Sequence, residues 1–391
     1  MITVQEALAR CFALVTPVGT ETVPLRRAAG RVLRQAAPAR LTQPPFAASA
    51  MDGYALGAAA DAGASFTLRG EAGAGHAFAG TLGPADAVRI FTGAPLPEGA
   101  ATIAIQEEVA AEGPTITLRK AATPGDNIRP RGQDFAEGDS LAAPRRLTAN
   151  DIALLASMNL PEVTVARRPV VALIATGDEL VMPGEAPGPD QIIASNTFAL
   201  AAMVEAAGGE ARMLPIARDS EDSLRMVFGL AEGADLVVTV GGASVGDHDL
   251  VGKVAAELGL ERAFWKIAMR PGKPLMAGRL GQAVMLGLPG NPVSAIVCGH
   301  LFLIPLLKAM QGLPATAPVP RKARLGADTG PAGPRTHYMR ARLDAEGAII
   351  TPFDRQDSAL LSILSTADAL LIRPMGDGPR KAGEQVEYLP I

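Results

Sequence analysis

Apolar residues along this chain are spaced in three ways, and each spacing predicts a different kind of unit. Between about 169 and 312, short unbroken apolar runs alternate with helix-length stretches. Leu236-Val237-Val238-Thr239-Val240 is the clearest run. Being β-branched and without polar alternation, it predicts a strand buried on both faces. Residues 169–176, 211–216, 264–268 and 283–288 read as further strands, with helices at 196–207, 219–231, 253–258 and 292–310. That rhythm implies a doubly wound, mostly parallel α/β sheet covered on both sides, with ligands at the carboxyl ends of its strands. The loops at those ends, 176–180, 241–249, 269–274 and 288–292, are all rich in glycine, proline or charge.

Residues 46–140 carry short alternating segments at 65–69, 88–91, 102–105 and 115–118, bounded by turn residues, which predicts a small β domain. The glycine-rich stretch 70–80 lacks the GxGxxG spacing and a following helix, so it reads as a turn. The flanks are helical in texture. Thr3 and Glu6 form a capping box opening a helix to about Leu14, and a second capped helix is predicted from Leu147 to Met158. Residues 25–33 read as a further helical turn or two, and 35–45 as extended linker. The β unit at 46–140 is therefore expected as an insertion in a discontinuous helical linking domain of 1–45 with 141–168. The α/β domain follows at 169–315. After a proline-rich stretch at 312–320, short strands at 338–343, 348–352, 369–372 and 385–389 predict a C-terminal β domain, 316–391.

Composition narrows the function classes. With 391 residues, 48 % apolar and 19 % charged, the chain suits a soluble protein of several domains. A net charge of −4 leaves no basic surplus for wrapping nucleic acid. Cys11 and Cys298 have no metal-ligand spacing and suit a reducing cytosol, and the scattered histidines argue against a zinc site. The start has no basic n-region or long apolar core. The longest apolar segment, 295–307, is interrupted by Gly299, His300 and Pro305 and reads as a buried helix too short for a bilayer. A cytoplasmic location, with neither nucleic acid nor membrane as partner, is the expectation.

The strand-end loops carry the candidate chemistry. Gly241, Gly242, Ser244 and Gly246 would let backbone N–H groups approach an anion, and Asp247 and Asp249 follow at once. Carboxylates beside a phosphate loop make sense if a divalent cation sits between the two charges; a tight strand-to-helix turn capped by either aspartate accounts for the same residues. Asp178 and Glu179 read as a solvated turn or, taken with Asp249, make Glu179 a magnesium ligand or general base. Lys266, Arg270 and Lys273 surround a Pro-Gly turn without Walker spacing, either as a basic surface turn or as an oxyanion receptor. Pro289, Pro292 and Ser294 mark a helix start, plain or anion-binding. In the β unit, Asp52-Gly53 reads as a hairpin turn, with further polar turns at 91–95 and 129–134.

Read together, these motifs resemble the MoeA family of molybdopterin molybdenumtransferases, which includes the E domain of gephyrin. SAMDGYA at 49–55, FTGAPLPEG at 91–99, ATGDEL at 175–180, GGASVGDHD at 241–249, MRPGKP at 269–274 and LPGNPVS at 288–294 stand in the family's order. The resemblance runs nearly end to end. It implies an elongated multidomain subunit in a homodimer: a doubly wound molybdopterin-binding α/β domain, an inserted small β domain, a helical linking domain and a C-terminal β-barrel-like domain. It implies molybdenum transfer from molybdate to adenylated molybdopterin with release of AMP, assisted by Mg²⁺. Other molybdenum cofactor biosynthesis proteins are conceivable partners on that reading.

By position, the resemblance implies that Asp52, Thr92 and Asp134 face a cleft against the partner subunit's α/β domain. On the α/β side it implies Glu179, Asp219, Asp249, Lys266, Arg270, Lys273, Pro289 and Pro292, with the glycines 241 and 242 and Ser244 of the loop. Asp52, Glu179, Asp219 and Asp249 would be catalytic, and Glu179 and Asp249 would hold the metal. Ser294, Arg340 and Ser362 fall in the region implied to hold molybdate; Ser358 fits the serine position equally. Arg270 stands where some relatives have lysine, which keeps the charge and changes the fork geometry. Two other functions fit parts of the pattern. One is another enzyme of the same α/β unit, such as a molybdopterin adenylyltransferase or a competence-damage-type nucleotide hydrolase. The other is a molybdopterin-binding scaffold without catalysis.

Overall fold

The computed structural model describes residues 1–242 and 250–391, so Ser244 and Asp249 lie outside the described residues. In the α/β domain the unbroken apolar runs form a six-stranded sheet in the order Glu210–Met213, Val170–Ala175, Leu236–Val240, Ala283–Leu288, Met276–Leu280, Leu260–Trp265. All five residues of Leu236–Val240 are buried, as its lack of alternation requires. Side chains alternate between two cores. Val171 and Leu173 face the helices Asn196–Ala206 and Pro292–Cys298, while Ala172 and Ile174 face Glu221–Leu230 and Leu250–Glu257.

The first four strands are parallel, as expected, but Met276–Leu280 runs against both its neighbours. It forms a hairpin with Ala283–Leu288 through a turn at Gly281, which has φ 59. Ala283–Leu288 was expected as a strand, whereas Met276–Leu280 was not, because Gly278 and Arg279 interrupt its apolar run. The helical run Pro292–Met310 passes through a π-helical turn at Gly299–Leu303, just before Pro305, which has no N–H for a regular ladder. This run is 19 residues long and, by length and composition, apolar enough to cross a membrane, contrary to the expectation that it is too short; 78 % of it is buried in the protein core.

The helix Val4–Ala13 forms with its capping box. It buries Ala7, Leu8 and Cys11 in the α/β core, although its texture assigned it to the linking unit. That unit is itself less helical than expected. Thr20–Pro24, Glu162–Ala166, Val32–Leu33 and Arg145–Arg146 form a four-stranded sheet that joins the two segments either side of the insertion. Only Leu25–Arg27 of the stretch read as helical makes a turn of 3-10 helix. The capped helix Ala149–Ser157 covers the sheet with Leu155.

The inserted β domain is a six-stranded sheet that includes Gly53–Leu56, Asp86–Ile90, Thr102–Ile105 and Thr115–Leu118. Asp52-Gly53 is not a hairpin turn. Ala48–Ser49 before it pairs with Ile128–Arg129, and Gly53–Leu56 after it enters the other sheet. At the C-terminus, Thr336–Leu343, Ile349–Pro352, Arg321–Leu325, Gln385–Pro390 and Ala369–Arg373 close into a barrel. Arg321–Leu325 escaped the sequence reading because only Ala323 and Leu325 of its five residues are buried. The short strand Met269–Arg270, taken from sequence as part of a loop, adds to the barrel beside Thr336 and His337.

Candidate functional site

At the end of Val170–Ala175 the chain turns through Gly177, whose N–H donates to the Ala217 carbonyl at 3.0 Å. Arg218 gathers the turn from outside: its Nη1 donates to the carbonyls of Gly177, Asp178 and Leu180 at 3.3, 3.1 and 3.0 Å. Asp178 accepts the Asp219 backbone N–H on Oδ1 at 3.1 Å. Of these acids, Glu179 and Asp219 therefore face a cleft of about 1000 Å³, while Asp178 is the brace between their two loops. Arg218 and Asp178 were missed as positioning groups, because nothing in the sequence marks 178 and 219 as neighbours.

Gly241, Gly242, Pro289 and Pro292 line the same cleft. The N–H of Gly241 donates to the Leu288 carbonyl at 3.1 Å, so the expected anion donor is already engaged. Its role is room: a Cβ there would stand 2.6 Å from the Thr176 carbonyl oxygen. Asn196 donates from Nδ2 to the Gly290 carbonyl at 2.7 Å and ties the 288–292 loop to the start of the helix Asn196–Ala206. The opposite wall is apolar, from Leu180, Ile192 and Ile193, on two short parallel strands that sequence did not reveal.

A second hollow of about 370 Å³ holds Arg270, Lys273, Ser294 and Ser358, and shares Pro274, Pro289 and Asn291 with the first. Arg335 also lines it. Lys266 lines neither hollow: its ammonium stands 3.9 Å from the Trp265 ring centroid, a cation–π contact. Arg340 is 1 % exposed, and its guanidinium donates to the carbonyls of Leu360 and Arg355, each at 3.2 Å. Burial pulls its pKa down. It does not line the hollow expected for molybdate; it holds the 353–360 loop from behind, helped by Gln356, which accepts the Arg340 N–H at 3.0 Å and donates to its carbonyl at 2.9 Å. Ser362 is exposed on the short helix Leu361–Leu364 and is also absent from the hollow. Ser358, on the braced loop, is the serine that lines it.

In the β domain, Asp52 accepts the Thr92 backbone N–H and hydroxyl on Oδ1, both at 2.7 Å, and these bonds hold its carboxyl below the usual range. Asp134 lines a separate hollow of about 510 Å³ with Phe46 and Arg129. Within one chain, none of the three lines the α/β cleft.

Among the described residues no group of three or more His, Cys, Asp or Glu side chains gathers as a metal cage. Glu179 and Asp219 are two carboxylates on one open cleft. Such a pair suits a hard cation that takes its remaining oxygens from a phosphate and water, which is how Mg²⁺ binds.

Residues 2–159 match the family model for the MoeA N-terminal region (domain I and II), residues 172–309 the probable molybdopterin binding domain, and residues 322–391 the MoeA C-terminal region (domain IV). The molybdopterin molybdenumtransferase of Haemophilus influenzae is 34 % identical over 401 positions, covering 100 % of this chain and 99 % of that one. The protein of the same name from Nostoc sp. is 34 % identical over 388 residues, covering 95 % of this chain and 89 % of that one. Among solved structures, a molybdopterin biosynthesis MoeA protein from Pyrococcus horikoshii superposes with a TM-score of 0.84 at 30 % identity, covering 100 % of this chain and 99 % of that one. A molybdenum cofactor biosynthesis protein from Pyrococcus furiosus, 18 % identical with a TM-score of 0.60, shares the fold over 100 % of both chains.

Proposed function

The chain belongs to the MoeA family and acts in molybdenum insertion during molybdenum cofactor biosynthesis, and we propose that it takes adenylated molybdopterin and molybdate and releases AMP. The observation that carries this reading is the pair of adjoining hollows: carboxylates line one, Arg270, Lys273 and Arg335 outweigh Asp357 on the other, and both share Pro274, Pro289 and Asn291. The larger has room for a pterin with a diphosphate, its apolar wall at Ile192 and Ile193 suiting the flat ring. The smaller suits a tetrahedral dianion, held by Arg270, Lys273 and the hydroxyls of Ser294 and Ser358.

Carboxylates meet a diphosphate only across a cation. Glu179 and Asp219 would hold Mg²⁺, which when bound neutralises charge on the phosphates. The chain's own part is orientation. Asp178 fixes the Asp219 backbone, so that Asp219 can direct the oxygen attacking the phosphoanhydride, and the cations keep molybdate beside the pterin's dithiolene. The reading includes a cytoplasmic homodimer in which Asp52, Thr92 and Asp134 of one subunit complete the cleft of the other. That none of the three lines the chain's own cleft supports that arrangement.

The test is AMP release from adenylated molybdopterin by the purified chain, with and without molybdate. Release should depend on molybdate, and Glu179→Ala should lower it by roughly 10²-fold or more while the adenylated pterin still binds. A wild-type chain that yields no AMP at any molybdate concentration ends the proposal.

A further inference from the structure

We infer that Arg89 is a positioning residue of the inserted β domain: it clamps the strand ends beside Asp52 and Thr92 and so aims that pair at the site. The inference rests on the reading in which Asp52 and Thr92 of one subunit complete the cleft of the other. Arg89 lies outside the motifs that pointed to the site, just ahead of FTGAPLPEG at 91–99. Its place follows from strand register. Gly53–Leu56 pairs antiparallel with Asp86–Ile90, which sets Tyr54 opposite Arg89 and Gly53 opposite Ile90. On its other side it pairs with Thr102–Ile105, which sets Gly53 opposite Ile105. Asp52, Thr92 and Gln106 therefore stand at three neighbouring strand ends on one edge of the sheet. Gly53 lets those ends close up, since a Cβ on it would stand 2.0 Å from the Ala104 carbonyl oxygen.

The Arg89 side chain spans that edge. Nη1 donates to the Gly53 carbonyl at 3.1 Å and Nη2 to Gln106 Oε1 at 2.6 Å. The guanidinium carbon stands 5.0 Å from the Tyr54 ring centroid and 4.8 Å from that of Phe91. Gln106 closes the circuit, its backbone N–H donating to the Asp52 carbonyl at 3.1 Å. Its Nε2 donates to Glu107 Oε1 at 3.1 Å, which keeps the amide oxygen turned to Arg89. The bonds from Thr92 to Asp52 lock the pair to itself but leave open where the pair points. Asp52 is half-buried and Thr92 exposed, so packing alone does not fix them. Arg89 supplies the missing constraint, because one planar fork holds the residue after Asp52 and packs on the residue before Thr92. Its charge also adds to the Thr92 bonds that keep the Asp52 carboxyl ionised.

The experiment is a double-mutant cycle on the full-length chain: AMP release at saturating adenylated molybdopterin and molybdate for the wild type, Asp52→Asn, Arg89→Met and the double variant. Arg89→Met should slow release roughly 10- to 100-fold in the wild-type background, the scale of a misplaced reacting group. On top of Asp52→Asn it should cost less than about 2-fold, because residues that act as a unit are not additive. Arg89→Lys keeps the charge and one donor and should recover part of the loss. Combined with Asp52→Asn, it carries the same comparison if the methionine variant does not fold. A wild-type rate in Arg89→Met overturns the inference and leaves the function standing. An equal factor in both backgrounds also overturns it, since that marks an arginine that only holds the domain together. If Asp52→Asn itself releases AMP at the wild-type rate, the reading that puts Asp52 in the cleft falls, and this inference falls with it.

Discussion

His337 is paired in register with Arg270 and sits among the guanidiniums of Arg270, Arg373, Arg335 and Arg340. Burial first, and then those positive charges, push its pKa from 6.5 down to about 4. The unfolded chain takes up this proton below about pH 6.5, whereas the folded chain resists it down to about 4. Stability should therefore fall as pH drops through that window, and His337→Gln should flatten the dependence. Denaturant midpoints of the two proteins across the window check this; parallel slopes would mean that other groups govern the acid response. Charge and identity at such positions are plain in a sequence, but surroundings are not. Lys266 against Trp265 and Arg340 among carbonyls look, as letters, no different from Arg270 at the hollow.

The site loops are tight because they start from adjacent strand ends. Gly242 has φ +63, and a Cβ on it would stand 2.3 Å from Val251 Cγ2. Gly290 by contrast would bring its Cβ only to 3.5 Å from the Gly241 Cα, an ordinary contact. Gly242→Ala should thus cost about 1–3 kcal/mol and lower AMP release, while Gly290→Ala keeps near-native stability. Chemical denaturation with the AMP assay compares the two, and equal losses would show that close packing between strand ends is not what demands glycine here. Elements with a sharp local signature were legible, the unbroken β-branched run at Leu236–Val240 and the capped helical period at Val4–Ala13. Met276–Leu280 and Arg321–Leu325 were not, the one because Gly278 and Arg279 break a short apolar run and the other for excess of charge.

Across the whole molecule the units are stitched by segments distant in sequence. Val4–Ala13 fills the α/β core through Ala7, Leu8 and Cys11, and Arg10 donates from Nη1 to the Ala263 carbonyl at 3.0 Å. Leu8→Ala, at a side chain 5 % exposed, should destabilise the α/β domain by roughly 2–5 kcal/mol, even though it lies over 150 residues from the first strand there. Thermal melting would register the loss, and an unshifted midpoint would mean that the helix only rests on the domain. At this scale the barrel matters too, since Met269–Arg270 is a strand only by virtue of Thr336–Leu343.

The order of motifs, the α/β rhythm and the acidic and basic character of the strand-end loops were all properties of the sequence, because periodicity and charge are local. The tertiary structure decided which of those groups share a space. It set Glu179 beside Asp219 through Asp178, chose Ser358 over Ser362, turned Arg340 inward and brought Arg335 to Arg270. Each of those outcomes depends on pairing between residues far apart along the chain, and the free energy of such pairing comes from packing that no single stretch carries.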